Sequence, residues 1–231
     1  MTLTLLALLQ DEDFASAVKK SQELKSYAYK LKLTIEGSEN AGEPTELTGW
    51  HHREKGTYFK SNSGEVFKKG AKTAVKSNDE EWMSLADWQE AHPDPGSGVA
   101  AGMIKGMKPP HDALKGADKR LAKVERAADK EKIGDEECAV WSGTLNDDAA
   151  EVTFMFKTPL AFVEDRELKA TLKVWADSEH RPRKWILKHH VKGTAAGNDV
   201  NVTVTWTIEL DKVETVDEAV PEGAAKIVGD R

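Results

Sequence analysis

The stretch TGWHHREKGTYFKSNSGEVFKKGAKTAVKSNDEEW, residues 48–82, decides the fold. It consists of short runs in which apolar and polar residues alternate, separated by turn residues at 54–56, 63–64 and 70–71. Alternation gives a strand one apolar and one polar face. Connections this short join antiparallel neighbours, because a parallel crossover needs about a dozen residues or more. We therefore predict a meander of antiparallel strands.

Longer strands are predicted on both sides of this meander. Before it, Tyr27, Tyr29, Leu31, Leu33 and Ile35 alternate with polar residues. After it, alternation predicts three long strands, at 168–176, 183–192 and 200–210, and helical spacing predicts helices at 13–26 and 115–132. Strands, then a helical insertion, then strands again indicate an α+β domain with one large antiparallel sheet and helices on one face.

Composition limits the classes of protein that the chain can belong to. Its 231 residues carry 33 basic and 40 acidic side chains, a net charge of −7, which argues against a nucleic-acid partner. No run reaches the ~18 apolar residues that predict an integral membrane segment. The one cysteine, Cys138, lies in a predicted strand and is expected to be a buried apolar residue. We predict a single domain over residues 11–231.

Residues 1–10 are apolar and are followed directly by Asp11-Glu12-Asp13. They have the length of the apolar region of a signal peptide, although no lysine or arginine precedes them. One interpretation is a signal-peptide remnant of a chain whose start is assigned too far downstream. The other is an N-terminal segment that packs on the domain. The first predicts an exported, periplasmic protein and the second allows a cytoplasmic one.

The order of these elements resembles a known superfamily. A helix precedes SYAYKLKLTIEG (26–37), the meander ends in Trp82, KATLKVWADSEHRPRKWILKH (169–189) forms a strand, an Asp-containing turn and a returning strand, and VPEGAAKIV (220–228) ends the domain. This arrangement resembles the outer-membrane lipoprotein carriers LolA and LolB and the mycobacterial lipoproteins LppX and LprG. The resemblance covers residues 13–228.

The resemblance implies an unclosed β-barrel, which is a strongly curved antiparallel sheet with an N-terminal helix and a helical lid. Members of the superfamily hold acyl chains or other apolar ligands inside the sheet. Related domains act in envelope stress signalling, so the fold by itself leaves the function open.

Apolar residues around the predicted lid, residues 99–107 and the helix after them, are the candidate ligand contacts. Methionine suits variable apolar ligands because its side chain is flexible and polarisable. Tryptophan and phenylalanine supply large apolar surfaces, although core packing is their commoner role. The alternative for residues 99–107 is a surface segment that fills the core with its own methionines. The candidate ligand-binding residues for the cavity and lid are Trp82, Met83, Trp88, Met103, Ile104, Met107, Phe154, Phe156, Trp175 and Trp185.

No pattern in the sequence predicts catalysis, a cofactor or a metal. The pairs His51-His52 and His189-His190 suggest metal ligands, but neighbouring residues of a strand point to opposite faces, so neither pair chelates alone. There is no nucleophile elbow or phosphate-binding loop. Ser97 lies between two glycines without a local base.

Two functions remain after these exclusions. The first is a non-enzymatic binding or carrier protein in the bacterial cell envelope, whose partner is a lipid or an acylated protein. The alternative is a regulatory or structural domain with the same fold and no ligand, which binds another envelope protein.

Overall fold

The computed structural model describes residues 2–37, 43–78, 80–145, 163–195 and 197–229, without the side chains of 2–12, 95–97, 99, 103 and 166. Its α-helices are α1 (Thr2–Glu23), α2 (Leu85–Ala91), α3 (Pro95–Gly106), α4 (Ala117–Arg120) and α5 (Glu222–Val228), and a 3₁₀ helix spans Pro110–Leu114. The strands are β1 (Ser26–Glu36), β2 (Thr45–His52), β3 (Gly56–Ser61), β4 (Gly64–Lys69), β5 (Lys72–Ser77), β6 (Met83–Ser84), β7 (Leu121–Arg126), β8 (Glu131–Ile133), β9 (Glu136–Leu145), β10 (Glu164–Ala176), β11 (Pro182–Ala195) and β12 (Asn198–Asp211).

The described strands form one antiparallel sheet in the order β6-β5-β4-β3-β2-β1-β12-β11-β10-β9-β7, with β8 paired to β9. The meander predicted for residues 48–82 corresponds to strands β2 to β6, which form one half of this sheet. The first and last long strands meet in the middle, where β1 pairs with β12 from Ala28–Asp211 to Glu36–Thr203. Strands β6 and β7 lie at opposite ends of this order, so the described sheet is not closed.

Alternation divides the sheet into an inner and an outer face. The inner face carries the main core, which includes Tyr29, Leu31, Trp185 and Ile208. Helix α1 packs on this face, where its Phe14 ring lies 6.4 Å from that of Trp141 on β9. The alternating apolar residues of the sequence are therefore the residues that face the helices, as one-sided burial of an antiparallel sheet requires.

Helix α5 covers part of the outer face. Its Ala224 and Val228 pack with Trp50, Phe67 and Ala74 in a second cluster. Lys72 Nζ donates a hydrogen bond to the Val228 carbonyl oxygen at 3.1 Å and so stabilises the end of the helix. The helix predicted from VPEGAAKIV is confirmed.

Two helix predictions need correction. The helix predicted over 115–132 is wrong, because only Ala117–Arg120 is helical and Leu121–Arg126 forms strand β7 on β9. The first helix is longer than predicted, running from Thr2 to Glu23 and so including most of residues 1–10. The predicted cap and element at 146–156 lie outside the described residues.

Adding a methyl group at Gly49 and at Gly102 should have opposite effects on the free energy of unfolding. A Cβ at Gly49 on β2 would collide with the Tyr58 backbone oxygen and lie 2.6 Å from the Tyr29 hydroxyl, whereas one at Gly102 on α3 would meet nothing within 4 Å. Gly49→Ala should lower the free energy of unfolding by about 3 kcal/mol. Gly102→Ala should raise it by about 0.5–1 kcal/mol, because alanine favours helix. Urea unfolding measures both, and equal effects of the two substitutions would contradict this packing.

Candidate functional site

A cavity of about 640 Å³ opens between the inner face of the meander and helices α2 and α3. Strand β1 supplies Leu31, Leu33 and Ile35, and β12 supplies Val204 and Trp206. The other apolar wall residues are Leu47, Phe59, Val66, Val75, Trp88, Ala100, Ile104 and Met107. Ile35 is 40% exposed and is the most exposed large hydrophobic residue among the described side chains. An apolar surface therefore continues from the core to the opening of the cavity.

We call α2 and α3 the lid, because their residues form the wall opposite the sheet. Helix α2 is fixed by Trp88, whose Nε1 donates to Ser77 Oγ on β5 at 3.1 Å. The Trp88 ring stacks on His92 with the centroids 4.8 Å apart, and His92 Nε2 lies 3.0 Å from Glu80 Oε1. The adjacent Trp88 carbonyl oxygen and the Glu80 carboxylate raise the pKa of His92. The charged imidazole is thus favoured at the junction between α2 and α3.

Lys68 on β4 holds the other end of the lid. Its Nζ donates to the carbonyl oxygens of Ile104 (3.2 Å), Lys105 (2.9 Å) and Met107 (2.7 Å). These carbonyls lie at and just beyond the end of α3, where the Ile104 carbonyl also accepts from the Met107 N–H at 3.2 Å and where a cation complements the helix dipole. Burial lowers the pKa of Lys68, and the three acceptors compensate for part of that desolvation.

We expect Lys68→Met to loosen α3 without unfolding the sheet. The methionine keeps the apolar stem but removes three charge-assisted hydrogen bonds, so the free energy of local opening should fall by about 2 kcal/mol. Hydrogen exchange of the α3 amides measures this change. Lys105→Met removes a lysine from the same helix as a control and should leave the exchange nearly unchanged. Equal protection in both variants would show that Lys68 does not hold the lid.

Below the lid, a cluster of four side chains connects the 3₁₀ helix to the sheet. Tyr27 Oη accepts from the His111 backbone N–H at 3.3 Å and lies 2.7 Å from His111 Nδ1. His51 Nδ1 lies 2.8 Å from Thr57 Oγ1, and the two imidazole centroids are 4.9 Å apart. Gln22 on α1 donates to the His111 carbonyl oxygen at 2.9 Å. The segment that follows α3 is therefore tied to β1, β2, β3 and α1.

This cluster requires neutral histidines. Burial, and then the neighbouring His111, His52 and Arg53, lower the pKa of His51 to about 3. Burial also lowers the pKa of His111, against the opposing effect of Asp112. Burial raises the pKa of Tyr27, so its hydroxyl stays protonated and can donate to an unprotonated His111 Nδ1. Two charged imidazoles at this separation would repel each other in a site with little water.

Three of the predicted ligand-binding residues line the cavity, namely Trp88, Ile104 and Met107. Met103 lies on α3, but its side chain is not among those described, and Phe154 and Phe156 lie outside the described residues. Met83 on β6 pairs with Val75, which does line the cavity, but Met83 is not itself a lining residue.

The other three predicted tryptophans lie elsewhere. Trp185 is fully buried in the main core. Trp175 lies on the outer face, where its Nε1 donates to Glu131 Oε2 at 2.8 Å and Lys173 Nζ is 4.4 Å from its ring centroid. Trp82 packs with the α5 cluster, against Gly223. The structure thus does not bring these three to the cavity.

Most cavity residues were missed because they are ordinary strand residues. Leu33, Leu47, Val66 and Val204 occupy inward positions of four strands and carry no motif. Their alternation with polar residues was the available signal, since it identifies the inner face. The alternation does not show that the side chains of the inner face leave a cavity between the sheet and the helices.

Comparisons with known proteins define the class of fold. The crystal structure of the Mycobacterium tuberculosis lipoprotein LppX matches with a TM-score of 0.51 and 10% identity over 92% of this chain and 97% of that chain. LprF from Mycobacterium bovis matches with a TM-score of 0.51 and 11% identity over 94% and 97%. No family model matches the sequence, and no curated protein matches it.

The chain therefore has the fold of the LppX and LprF structures, and the unclosed antiparallel sheet predicted from the sequence is confirmed. At these identities the likeness establishes the fold alone. Among the described residues, no helix has the length and hydropathy needed to cross a bilayer. The described side chains also include no group of three or more His, Cys, Asp or Glu that could hold a metal ion.

Proposed function

We propose that the chain is a non-enzymatic binding or carrier protein for an apolar ligand, a lipid or the acyl chains of a lipoprotein, in the bacterial cell envelope. The observation that carries this proposal is the open apolar cavity between the inner face of the sheet and the lid. Its volume of about 640 Å³ lies within the range of ~300–1,000 Å³ typical of ligand sites. The envelope location is what the resemblance to the lipoprotein superfamily implies.

The chemistry of the walls explains how such a ligand would be held. Leu33, Leu47 and Val66 offer no charge to a ligand, so binding energy comes from apolar area removed from water, about 0.8 kcal/mol for each methylene group. The affinity of this site then depends on the length of the chain that it buries. A ligand bound in this way needs no covalent step, and its release needs only a way out of the cavity.

The ligand would leave the cavity when the lid opens. Helix α3 contains Gly98, Gly102 and Gly106, each costing roughly 1 kcal/mol of helix stability, and a Cβ at any of them would meet no neighbour within 4 Å. A weakly packed helix held at its end by Lys68 can open at low cost while the sheet stays intact. Opening of α3 would expose Ile104 and Met107 together with the ligand.

Native mass spectrometry of the chain produced in a bacterial periplasm tests the proposal. We expect a lipid-sized mass to accompany the protein and to disappear after organic extraction. Readdition of the extracted lipid should restore the bound mass. A clean ligand-free mass, unchanged after incubation with lipids, would overturn the proposal and favour the protein-binding domain described above.

A further inference from the structure

We infer that the buried pair of His51 and His111 is an acid-sensitive switch, which keeps the 3₁₀ helix in place at neutral pH and releases it, together with the adjoining end of the lid, when the surroundings become acidic. This inference rests on the proposed function and adds its regulation, since ligand is then held at neutral pH and released in acid. It is carried by the position of the pair between the sheet and the segment that continues the cavity wall.

The histidine pair lies where the cavity wall is connected to the 3₁₀ helix. Met107 lines the cavity and packs in the main core, and two residues separate it from the 3₁₀ helix Pro110–Leu114. His111 belongs to that helix, and its ring centroid lies 4.9 Å from that of His51 on β2. The connection is stiff, because Pro109 and the proline that follows it have fixed φ angles. A displacement of the 3₁₀ helix is therefore transmitted to Met107.

Three uncharged side chains hold the pair against the sheet. Tyr27 Oη on β1 lies 2.7 Å from His111 Nδ1, and Thr57 Oγ1 on β3 lies 2.8 Å from His51 Nδ1. Gln22 on α1 donates to the His111 carbonyl oxygen at 2.9 Å. The Tyr27 hydroxyl can donate to His111 only while Nδ1 carries no proton. Protonation of this nitrogen would leave a buried hydroxyl hydrogen without its acceptor, which destabilises the closed position.

The charged groups beside the pair also oppose protonation while the helix is in place. Burial and then the nearby positive groups, which include His52 and Arg53 at the end of β2, lower the pKa of His51, and burial and Arg53 lower that of His111. Asp112 has the opposite effect on His111, since its Oδ1 lies 3.7 Å from His111 Nε2. Asp112 is part of the same 3₁₀ helix, so its carboxylate moves away from His51 when the helix does.

Acid therefore shifts the balance between the closed and the open position of the 3₁₀ helix. Once water reaches His51 in the open position, its pKa returns towards the ordinary value of 6.5, whereas in the closed position it is about 3. The open position then binds a proton at pH 5 that the closed one does not. Through His51 alone, the open population rises about 30-fold between pH 7.5 and pH 5. His111 acts in the same direction.

The other end of the lid responds to acid in the opposite sense. The Trp88 carbonyl oxygen and Glu80 raise the pKa of His92, so protonation strengthens the junction between α2 and α3. Acid should therefore open the lid at the end of α3 that leads into the 3₁₀ helix, while α2 stays on the sheet. His92 also provides a control, because it is a lid histidine outside the buried pair.

The release rate of a bound apolar probe tests this inference. N-phenyl-1-naphthylamine emits in apolar surroundings and does not titrate between pH 7.5 and pH 5, whereas a fatty acid such as tetradecanoate would itself take up protons. The wild-type chain is loaded with the probe and diluted in a stopped-flow instrument, and the loss of emission follows dissociation. We expect release to be about 30-fold faster at pH 5 than at pH 7.5, with the circular dichroism of the sheet unchanged.

Two variants identify the groups that titrate. His51→Gln with His111→Gln should release the probe at rates that agree within about twofold at the two pH values, whereas His92→Gln should keep the acceleration. Full acceleration in the double variant, or equal release rates from the wild-type chain, would overturn the switch and leave the proposed function standing. If the probe does not bind at pH 7.5, both proposals fail.

Hydrogen exchange of the wild-type chain is the second measurement, and it decides the question if the double variant does not fold. The protection factors of the amides at 111–114 should fall about 30-fold from pH 7.5 to pH 5, while those of β1 change much less. An equal change in both segments would show that acid loosens the whole domain, and would overturn a switch located at the 3₁₀ helix.

Discussion

Acidification from pH 7 to pH 4 is expected to lower the free energy of unfolding by roughly 3 kcal/mol through His51 alone. The folded-state pKa of His51 is lowered to about 3 from an ordinary value of 6.5, first by burial and then by the neighbouring His111, His52 and Arg53. Between these two values the unfolded chain binds a proton that the folded chain does not. The stabilisation is therefore complete above pH 6.5, declines below it, and is lost as the pH approaches 3.

Urea unfolding at a series of pH values, compared between wild type and His51→Gln, isolates this contribution from that of the carboxylates. His51→Gln should be less stable at pH 7, because the amide replaces a well-packed imidazole, but its stability should fall less between pH 6.5 and pH 4. His190→Gln, on the outer face where Nδ1 lies 3.1 Å from Thr203 Oγ1, is the matched control. Parallel pH curves for wild type and His51→Gln would contradict a buried neutral His51.

The structural consequence of acidification begins at the 3₁₀ helix. Protonation of His111 Nδ1 would remove the acceptor for the Tyr27 hydroxyl and place a charge beside His51. Gln22 and the His111 backbone N–H would still connect this segment to α1 and to Tyr27. The 3₁₀ helix Pro110–Leu114, which follows the lid, should therefore lose protection from hydrogen exchange before the sheet does.

The meander could be predicted because the residues that specify each of its hairpins are close together in the sequence. Each hairpin of the meander is specified by alternation on two strands and a turn of two or three residues, and Gly56, Gly64 and Gly70 adopt positive φ values of 119°, 154° and 59° in those turns. A β-carbon would be strained at such angles, so a glycine between two alternating runs is itself a turn signal. The pairing of β1 with β12 is long-range, and no local signal in either strand specifies it.

The helix predicted over 115–132 failed for a specific reason. Leu121 and Val124 are three residues apart, which is the spacing of one helical face. In the structure a register shift between Leu121 and Lys123 inserts an extra residue into β7, so Leu121 lies opposite Leu145 and Val124 lies opposite Gly143. Both apolar side chains then face the core from a bulged strand. A bulged strand can therefore show the same spacing of apolar residues as a helix. This segment forms a strand because it pairs with the edge of β9.

The candidate site was predicted less well than the sheet, and Trp175 shows why. Ala170, Leu172 and Val174 alternate along β10 and are buried in the main core, which directs Trp175 to the other face beside Lys173. The alternation along β10 therefore predicts an outward position for Trp175, whereas the size of its side chain predicts nothing about the face it occupies. For Trp82 the sequence offered no such signal, since its environment depends on where α5 packs.

Filling the cavity should abolish ligand binding while the fold is kept. Val66 lies on the inner face of β4, half-buried, and lines the cavity. Val66→Trp would occupy space needed by the ligand. Exclusion of about four methylene groups costs roughly 3 kcal/mol, or about a 100-fold loss of affinity for tetradecanoate. The indole enters a volume that is already open, so we expect the free energy of unfolding to change by less than about 1 kcal/mol.

Thr48→Trp is the matched control, because Thr48 lies on the exposed outer face of the neighbouring meander strand β2. It adds the same indole to the same half of the sheet and should leave both affinity and stability near the wild-type values. Fluorescence titration and urea unfolding of the two variants separate occupancy of the cavity from damage to the sheet. Equal loss of binding in both would place the ligand outside the cavity, whereas loss in Val66→Trp alone would place its tail against Val66.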